Sequence, residues 1–312
     1  MRPEVHTAAQ SRLVDELLGW DVARPAVPAG LVDDLRRRLE DGVRPVLADL
    51  PAGADRWVGP STLLRAVRCP GWYVHDRDTE VVPTPAMLVR SLVRRAVVED
   101  WRTQRLRTPA EVVEVVAREL ASGRSRDAAA HNALPPADVA GVHADVAALV
   151  AEVRDVWPAL PPEASPRIGS PVRVRVADGR VVLGTVPDLV LGGVRDDAAR
   201  LLVVALRTGP RRAIDDVALD RVTALLLTLR AGQPPFRWAS YYIPEGDWHV
   251  EDLDAEVLHT TVDWVVVALA RARALARTRD VPEVDRRPGG HCQRCGLAPS
   301  CAVSEAGAPT LA

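Results

Sequence analysis

The chain has 312 residues, of which 47% are hydrophobic and 26% charged, a length and mixture that suit one large domain or two small ones with a buried core. Its formal net charge of −2 carries no global basic signature of a nucleic-acid binder, which leaves open only a local basic groove. All 40 basic residues other than histidine are arginine, so no chemistry here can use a lysine ammonium.

The first ten residues hold an early acid and no apolar run, so no secretory signal is read there. Residues 11–20 and 30–50 read as amphipathic helices, with Leu31, Leu39, Val43 and Leu47 at multiples of four. A Pro/Gly segment at 51–60 then breaks the chain, and Ser61 is placed to cap a short helix over 62–67 that runs into Cys69-Pro70. Thr84-Pro85 opens a helix to about residue 102. The capping box Thr108-Pro109-Ala110-Glu111 opens another to about 121, and 137–157 forms a third with Val139, Val142, Val146, Val150 and Val153 on one face.

The period then changes to two. Val172, Val174 and Val176 alternate with arginines, and Asp178-Gly179 signals a two-residue hairpin turn. Residues 181–191 follow as a second strand with Gly184 as its bend, and 201–206 as a third. A helix over 215–230, a strand over 236–243 and a long helix over 254–277 complete the order. The most apolar helical stretch, 262–270, contains Asp263 and is too short to span a bilayer. The expectation is a cytoplasmic protein of mixed α/β class with no membrane partner. From residue 85 it runs helix, helical insert, three strands, helix, strand. Residues 1–55 are expected as a helical N-terminal extension and 56–312 as the main domain, with the insert at about 108–165.

Four cysteines end the reading. Cys292-x2-Cys295-x5-Cys301 lies in a Gly/Pro-rich loop, and Cys69 is distant in sequence. Thiolates at i and i+3 can grip one metal or one face of a cluster, while the others close the site. Four buried free thiols are the bland alternative. Spacing alone leaves an iron–sulfur cluster and a structural zinc both open, with His291 as a substitute ligand.

The stretch 61–73, through Cys69-Pro70 to Trp72 and Tyr73, together with the C-x2-C-x5-C tail, resembles the iron–sulfur subset of the RecB/AddB-like PD-(D/E)XK nucleases. The resemblance covers about residues 57–303. It implies a restriction-endonuclease-like core, closed by a 4Fe–4S cluster on Cys69, Cys292, Cys295 and Cys301. It also implies phosphodiester hydrolysis on carboxylate-bound Mg²⁺ or Mn²⁺. Oxygen ligands suit such hard cations, which lower the pKa of bound water.

The catalytic positions have mostly changed. Residues 184–188 resemble the strand bearing the first metal-binding Asp, which makes that residue Asp188. Residues 205–209 resemble the family's Asp-x-Lys-Thr-Gly, so Ala205 stands for the second carboxylate and Arg207 for the lysine. Arg90 and Arg94 lie where the family has a His and a Glu on the preceding helix. The resemblance therefore implies a nuclease family member without activity, acting as a nucleic-acid-binding or scaffold component in DNA repair, recombination or defence. Its partners would be single- or double-stranded DNA, or a helicase or similar subunit. On this reading Arg90, Arg94 and Arg207 line the former cleft and hold phosphate, or are simply ion-paired or solvated. Asp188 would pair with a neighbouring arginine or retain residual metal binding. One alternative is an active Mg/Mn-dependent nuclease in which Asp188 works with Asp215, Asp216 or Glu99. Another is a zinc-stabilised interaction module presenting Trp57, Trp72 and Trp248.

Overall fold

The computed structural model describes residues 6–19, 24–79, 83–160, 162–193, 199–209, 211–277 and 285–303. Its helices are α1 (Ala8–Leu13), α2 (Leu31–Val46), α3 (Pro60–Arg68), α4 (Pro70–Asp78), α5 (Pro85–Arg102), α6 (Pro109–Ser122), α7 (Arg126–Asn132), α8 (Pro136–Val156), α9 (Ala213–Ala231) and α10 (Ala255–Leu275). Its strands are β1 (Arg56–Val58), β2 (Arg167–Ile168), β3 (Val172–Val176), β4 (Val181–Thr185), β5 (Leu189–Leu191), β6 (Leu201–Arg207), β7 (Pro235–Tyr242) and β8 (Asp247–Asp252). They form a three-stranded sheet, β1-β4-β3, and a five-stranded sheet, β2-β5-β6-β7-β8. The class is mixed α/β, as the sequence implies. Among the described residues no helix is long and apolar enough to cross a membrane.

The strand expected over 181–191 is two strands in two different sheets. The break falls at Val186-Pro187-Asp188. Proline has no N–H for a ladder, so a run that meets one inside a sheet must leave it. Gly184 is not the bend. It sits within β4 opposite Arg173, and a Cβ there would lie 1.9 Å from Cη2 of Trp57, so the missing side chain makes room for the indole. The hairpin at Asp178-Gly179 forms as expected. Both residues have positive φ, and the Arg180 N–H reaches the Ala177 carbonyl at 3.1 Å.

Strand β6 lies between two cores. Leu201 and Val203 face one, with Leu35, Leu39 and Val43 of α2, Leu225 of α9 and Val262 of α10. Leu202, Val204 and Leu206 face the other, with Trp101 of α5, Val146 of α8, Trp157 and Tyr241. A strand covered on both faces needs no polar alternation, which accounts for its continuous apolar run. Strands β6 and β7 run parallel through the α9 crossover, with Ala205 opposite Ser240 and Arg207 opposite Tyr242.

The caps at Thr84 and Thr108 form as expected, the second as a full capping box. Ser61 caps nothing. Helix α3 starts two residues earlier, with Pro60 in its first turn and Gly59 as N-cap. Strands β1 and β8 are additions to the sequence reading, held by tertiary pairing to β4 and β7. The helices before residue 55 contribute to both cores: Leu13 and Leu17 to one, α2 to the other. Helix α2 is also fastened to α10 by Arg38–Asp263 at 2.7 Å and His259–Asp34 at 2.9 Å.

Leu35→Ala opens a cavity at a fully buried site on α2. It is expected to lower unfolding free energy by about 2–5 kcal/mol in urea titrations. Leu106→Ala, at a side chain 85% exposed, is expected to stay within about 0.5 kcal/mol. Equal effects would show that α2 is not part of the core.

Candidate functional site: an arginine-filled cleft and a cysteine tail

The break between β4 and β5, the C-terminal half of β6, α5 and α9 converge on a cleft of about 350 Å³. Its walls include Arg94, Asp188, Ala205, Arg207 and Asp220. The fold therefore brings Asp188, Ala205, Arg94 and Arg207 together. Arg90 lines an adjoining cleft of about 530 Å³ with Arg94, Arg95 and Arg102.

Every oxygen of the Asp188 carboxylate is engaged. One accepts from Arg94 Nε at 2.5 Å and the other from the Leu206 N–H at 2.8 Å. Asp188 is 4% exposed, and a carboxylate at that depth needs such partners. Arg94 also donates to the Val186 carbonyl at 3.2 Å, which places it across the proline break.

Arg207 is equally engaged. Its guanidinium donates to Asp220 Oδ1 at 2.6 Å and to Ser240 Oγ at 2.9 Å, and Ser240 donates onward to Asp220 Oδ2 at 2.5 Å. Asp216 Oδ1 lies 3.8 Å from Arg207 Nε. Burial works against the Arg207 cation, but Asp220 and Asp216 outweigh it and hold its pKa above the ordinary value. Burial pushes Asp220 up to about 6, against the pull of Arg207 and Ser240. Tyr242, which donates to Asp216 Oδ2 at 2.9 Å, is raised by burial and then by that carboxylate.

Asp188 pairs with a neighbouring arginine, one of the two outcomes expected for it, and Arg207 is ion-paired within the protein, while the Arg94 side chain stays half exposed. The carboxylates considered as partners for Asp188 pair with other arginines: Asp215 with Arg68 at 2.7 Å and Glu99, which lines the adjoining cleft with Asp188, with Arg107 at 3.4 Å, while Asp216 joins the Arg207 network. The residue missed is Asp220. Its signal was an acid on the 217–220–224 spacing of the buried face of α9. Of the tryptophans considered for partners, Trp57 is half exposed, Trp72 is buried, and Trp248 lies beneath the Arg12 guanidinium.

At the other end of the site, the cysteine tail folds back on α4. The Gly71 N–H donates to the Asp285 carbonyl at 3.2 Å, and the Arg287 N–H to Cys69 Sγ at 3.5 Å. The His291 ring stacks on Trp72 with centroids 5.3 Å apart, and a Cβ on Gly71 would press on Arg286 Cγ at 3.2 Å. Cys69 and Cys292 are buried, Cys295 and Cys301 partly exposed, and all four are free thiols. Burial pushes the Cys295 thiol up. The Leu297 N–H pulls it down, and Asp76, Cys69 and Cys292 push it further up. Among the described residues no group of three or more His, Cys, Asp or Glu side chains is drawn together closely enough to hold a metal ion.

Neither the models of known protein families nor the curated proteins contain a match to this chain.

Because folding raises the Asp220 pKa from 3.8 to about 6, the folded state takes up this proton before the unfolded chain does. The stabilising contribution is therefore present below the ordinary carboxylate range and is lost as pH rises through about 6. The loss amounts to about 3 kcal/mol. Urea unfolding between about pH 4 and 7 should show this component in the wild type and not in Asp220→Asn. Identical pH profiles would remove the assignment.

Proposed function

We propose that this chain is a PD-(D/E)XK nuclease-type domain that has exchanged its catalytic cation for arginines. It would act as a non-cleaving nucleic-acid-binding or scaffold component in DNA repair, recombination or defence. The observation that carries the reading is the Arg94–Asp188 pair beside Ala205. A hydrolytic site of this kind needs at least two oxygen ligands free for one divalent cation, which then activates water. Here the single carboxylate at the strand break is closed by a guanidinium and an N–H, and Ala205 supplies no oxygen. Arg207 stays protonated and cannot exchange protons as a lysine would. The order α5, β3 to β6, α9, β7 supports the family reading.

Nucleic-acid contact would fall to the cations left outside these pairs. Arg90 and Arg95 make no hydrogen bond or ion pair among the described residues, and both line the adjoining cleft. Guanidinium groups so placed suit backbone phosphate, which positions a strand without reading its sequence.

The four cysteines suit a 4Fe–4S cluster, or a zinc ion in its place, in the chemistry of the donor set: all are thiols without disulfides, and Cys69 already accepts an N–H. Such a group would link α4 to the tail covalently. Cys69, Cys292, Cys295 and Cys301 would hold it, and Trp72 stacked on His291 would shield it.

The wild-type protein is expected not to cleave single- or double-stranded DNA with Mg²⁺ or Mn²⁺. Cleavage that vanishes in Asp188→Ala would overturn the proposal and favour the active alternative. Protein purified without air is expected to absorb broadly near about 400 nm and to carry about four irons per chain. Stoichiometric zinc without iron would replace the cluster by zinc, and absence of both would remove the metal clasp.

A further inference from the structure

A third cleft, of about 890 Å³, is walled partly by the body and partly by the tail. The body contributes Arg68 from the end of α3, Arg211 and Arg212 from the loop before α9, and Arg271 from α10. The tail contributes Arg287 and His291. Five guanidinium groups thus line a cleft whose walls hold one carboxylate, Asp215, already paired with Arg68 at 2.7 Å; Arg287 also lies 3.9 Å from the exposed Asp285 of its own segment. Arg271 donates to the Val67 carbonyl at 3.3 Å, and Arg211 lies over the Tyr242 ring at 5.4 Å. Neither contact neutralises charge.

Arg212 is the sharpest case. Its guanidinium makes no hydrogen bond or ion pair among the described residues. Burial lowers its pKa, Asp216 and Asp215 oppose that, and Arg90 lowers it again. Like charges gathered in a half-buried space repel one another more strongly than in open water. The arrangement is relieved by an anion that enters and accepts from several guanidinium groups together. Phosphate fits this demand best: it is multiply charged and matches the planar donor fork of arginine. The volume lies in the range of small-molecule sites.

We infer that this cleft binds a phosphate-bearing ligand across the seam between body and tail, so that ligand occupancy and docking of residues 285–301 reinforce each other. Arg287 comes from one wall, and Arg211, Arg212 and Arg271 from the other. An anion held between them pulls the two together. Linkage requires the converse: a docked tail tightens the anion. The inference depends on neither the lost nuclease chemistry nor the identity of the metal on the cysteines.

The test uses the full chain, purified without air, with two probes at low salt: inorganic tripolyphosphate and a short oligothymidylate. Binding is measured by titration, and tail docking by amide hydrogen exchange over 285–301. Saturating probe is expected to slow exchange in that segment. Arg212→Ala and Arg287→Ala are each expected to weaken binding about tenfold, while Arg37→Ala on α2 leaves it unchanged. If the natural ligand is a strand, the oligothymidylate binds and is displaced by tripolyphosphate. Each removed arginine then flattens the log–log salt slope by about 0.7. If it is a free polyphosphate, only tripolyphosphate binds; either result supports the site. Three results overturn the inference: neither probe binds, both variants bind as wild type does, or binding leaves exchange over 285–301 unaltered. None of them alters the outcome of the cleavage assay, so the two proposals fail separately.

Discussion

A carboxylate removed from water must be met by a counter-charge, by hydrogen-bond donors or by a proton, and two buried aspartates impose that demand on the middle of this protein. Asp188 satisfies it with Arg94 and the Leu206 N–H, and in doing so joins α5, the break between β4 and β5, and β6. Asp220 satisfies it with Arg207 and Ser240, joining α9, β6 and β7. The elements that surround the cleft are thus bound through the cleft's own charges. Removing one partner of such a pair leaves an uncompensated buried charge, a larger penalty than the net worth of the intact pair. Loss of a catalytic cation from a cleft built around carboxylates would create the same problem, and arginine is the residue best suited to resolve it.

The tail meets a different requirement. It has little apolar surface of its own, and it docks by close backbone approach and ring stacking at Gly71 and Trp72. Contacts of that kind are directional and few, so a metal group held by the thiols, as proposed, would strengthen them. A ligand that binds only the docked state adds its binding free energy to docking.

The parts of this architecture that were legible in the sequence are those fixed by local chemistry. Thr84 and Thr108 announce their helices because a cap needs only the next turn of chain. Asp178-Gly179 announces its hairpin because positive φ is a property of the residues themselves. Strands β1 and β8 were not legible, since their pairing partners lie far away or their residues are mostly polar. Gly184 reads as a bend until the Trp57 ring is known to lie against it. The candidate site divides the same way. Asp188, Ala205 and Arg207 were placed by the family resemblance of their strand ends, and the fold brings them to one cleft. The pairing of Asp188 with a neighbouring arginine was among the expectations, but the Arg207–Asp220 pair could not be read, because ion pairing between distant elements leaves no mark on residue spacing.

The contact between α2 and α10 also sets an order of events during synthesis. Arg38 and Asp263 are 225 residues apart in the chain. At ribosomal speeds of about 5–20 residues per second, α2 waits on the order of ten to forty-five seconds before α10 emerges. Throughout that interval the apolar stripe of Leu31, Leu35, Leu39 and Val43 lacks part of its eventual cover. The nascent chain therefore carries an amphipathic helix with an open hydrophobic side throughout that interval, the kind of surface that chaperones bind and that neighbouring polysomal chains can capture.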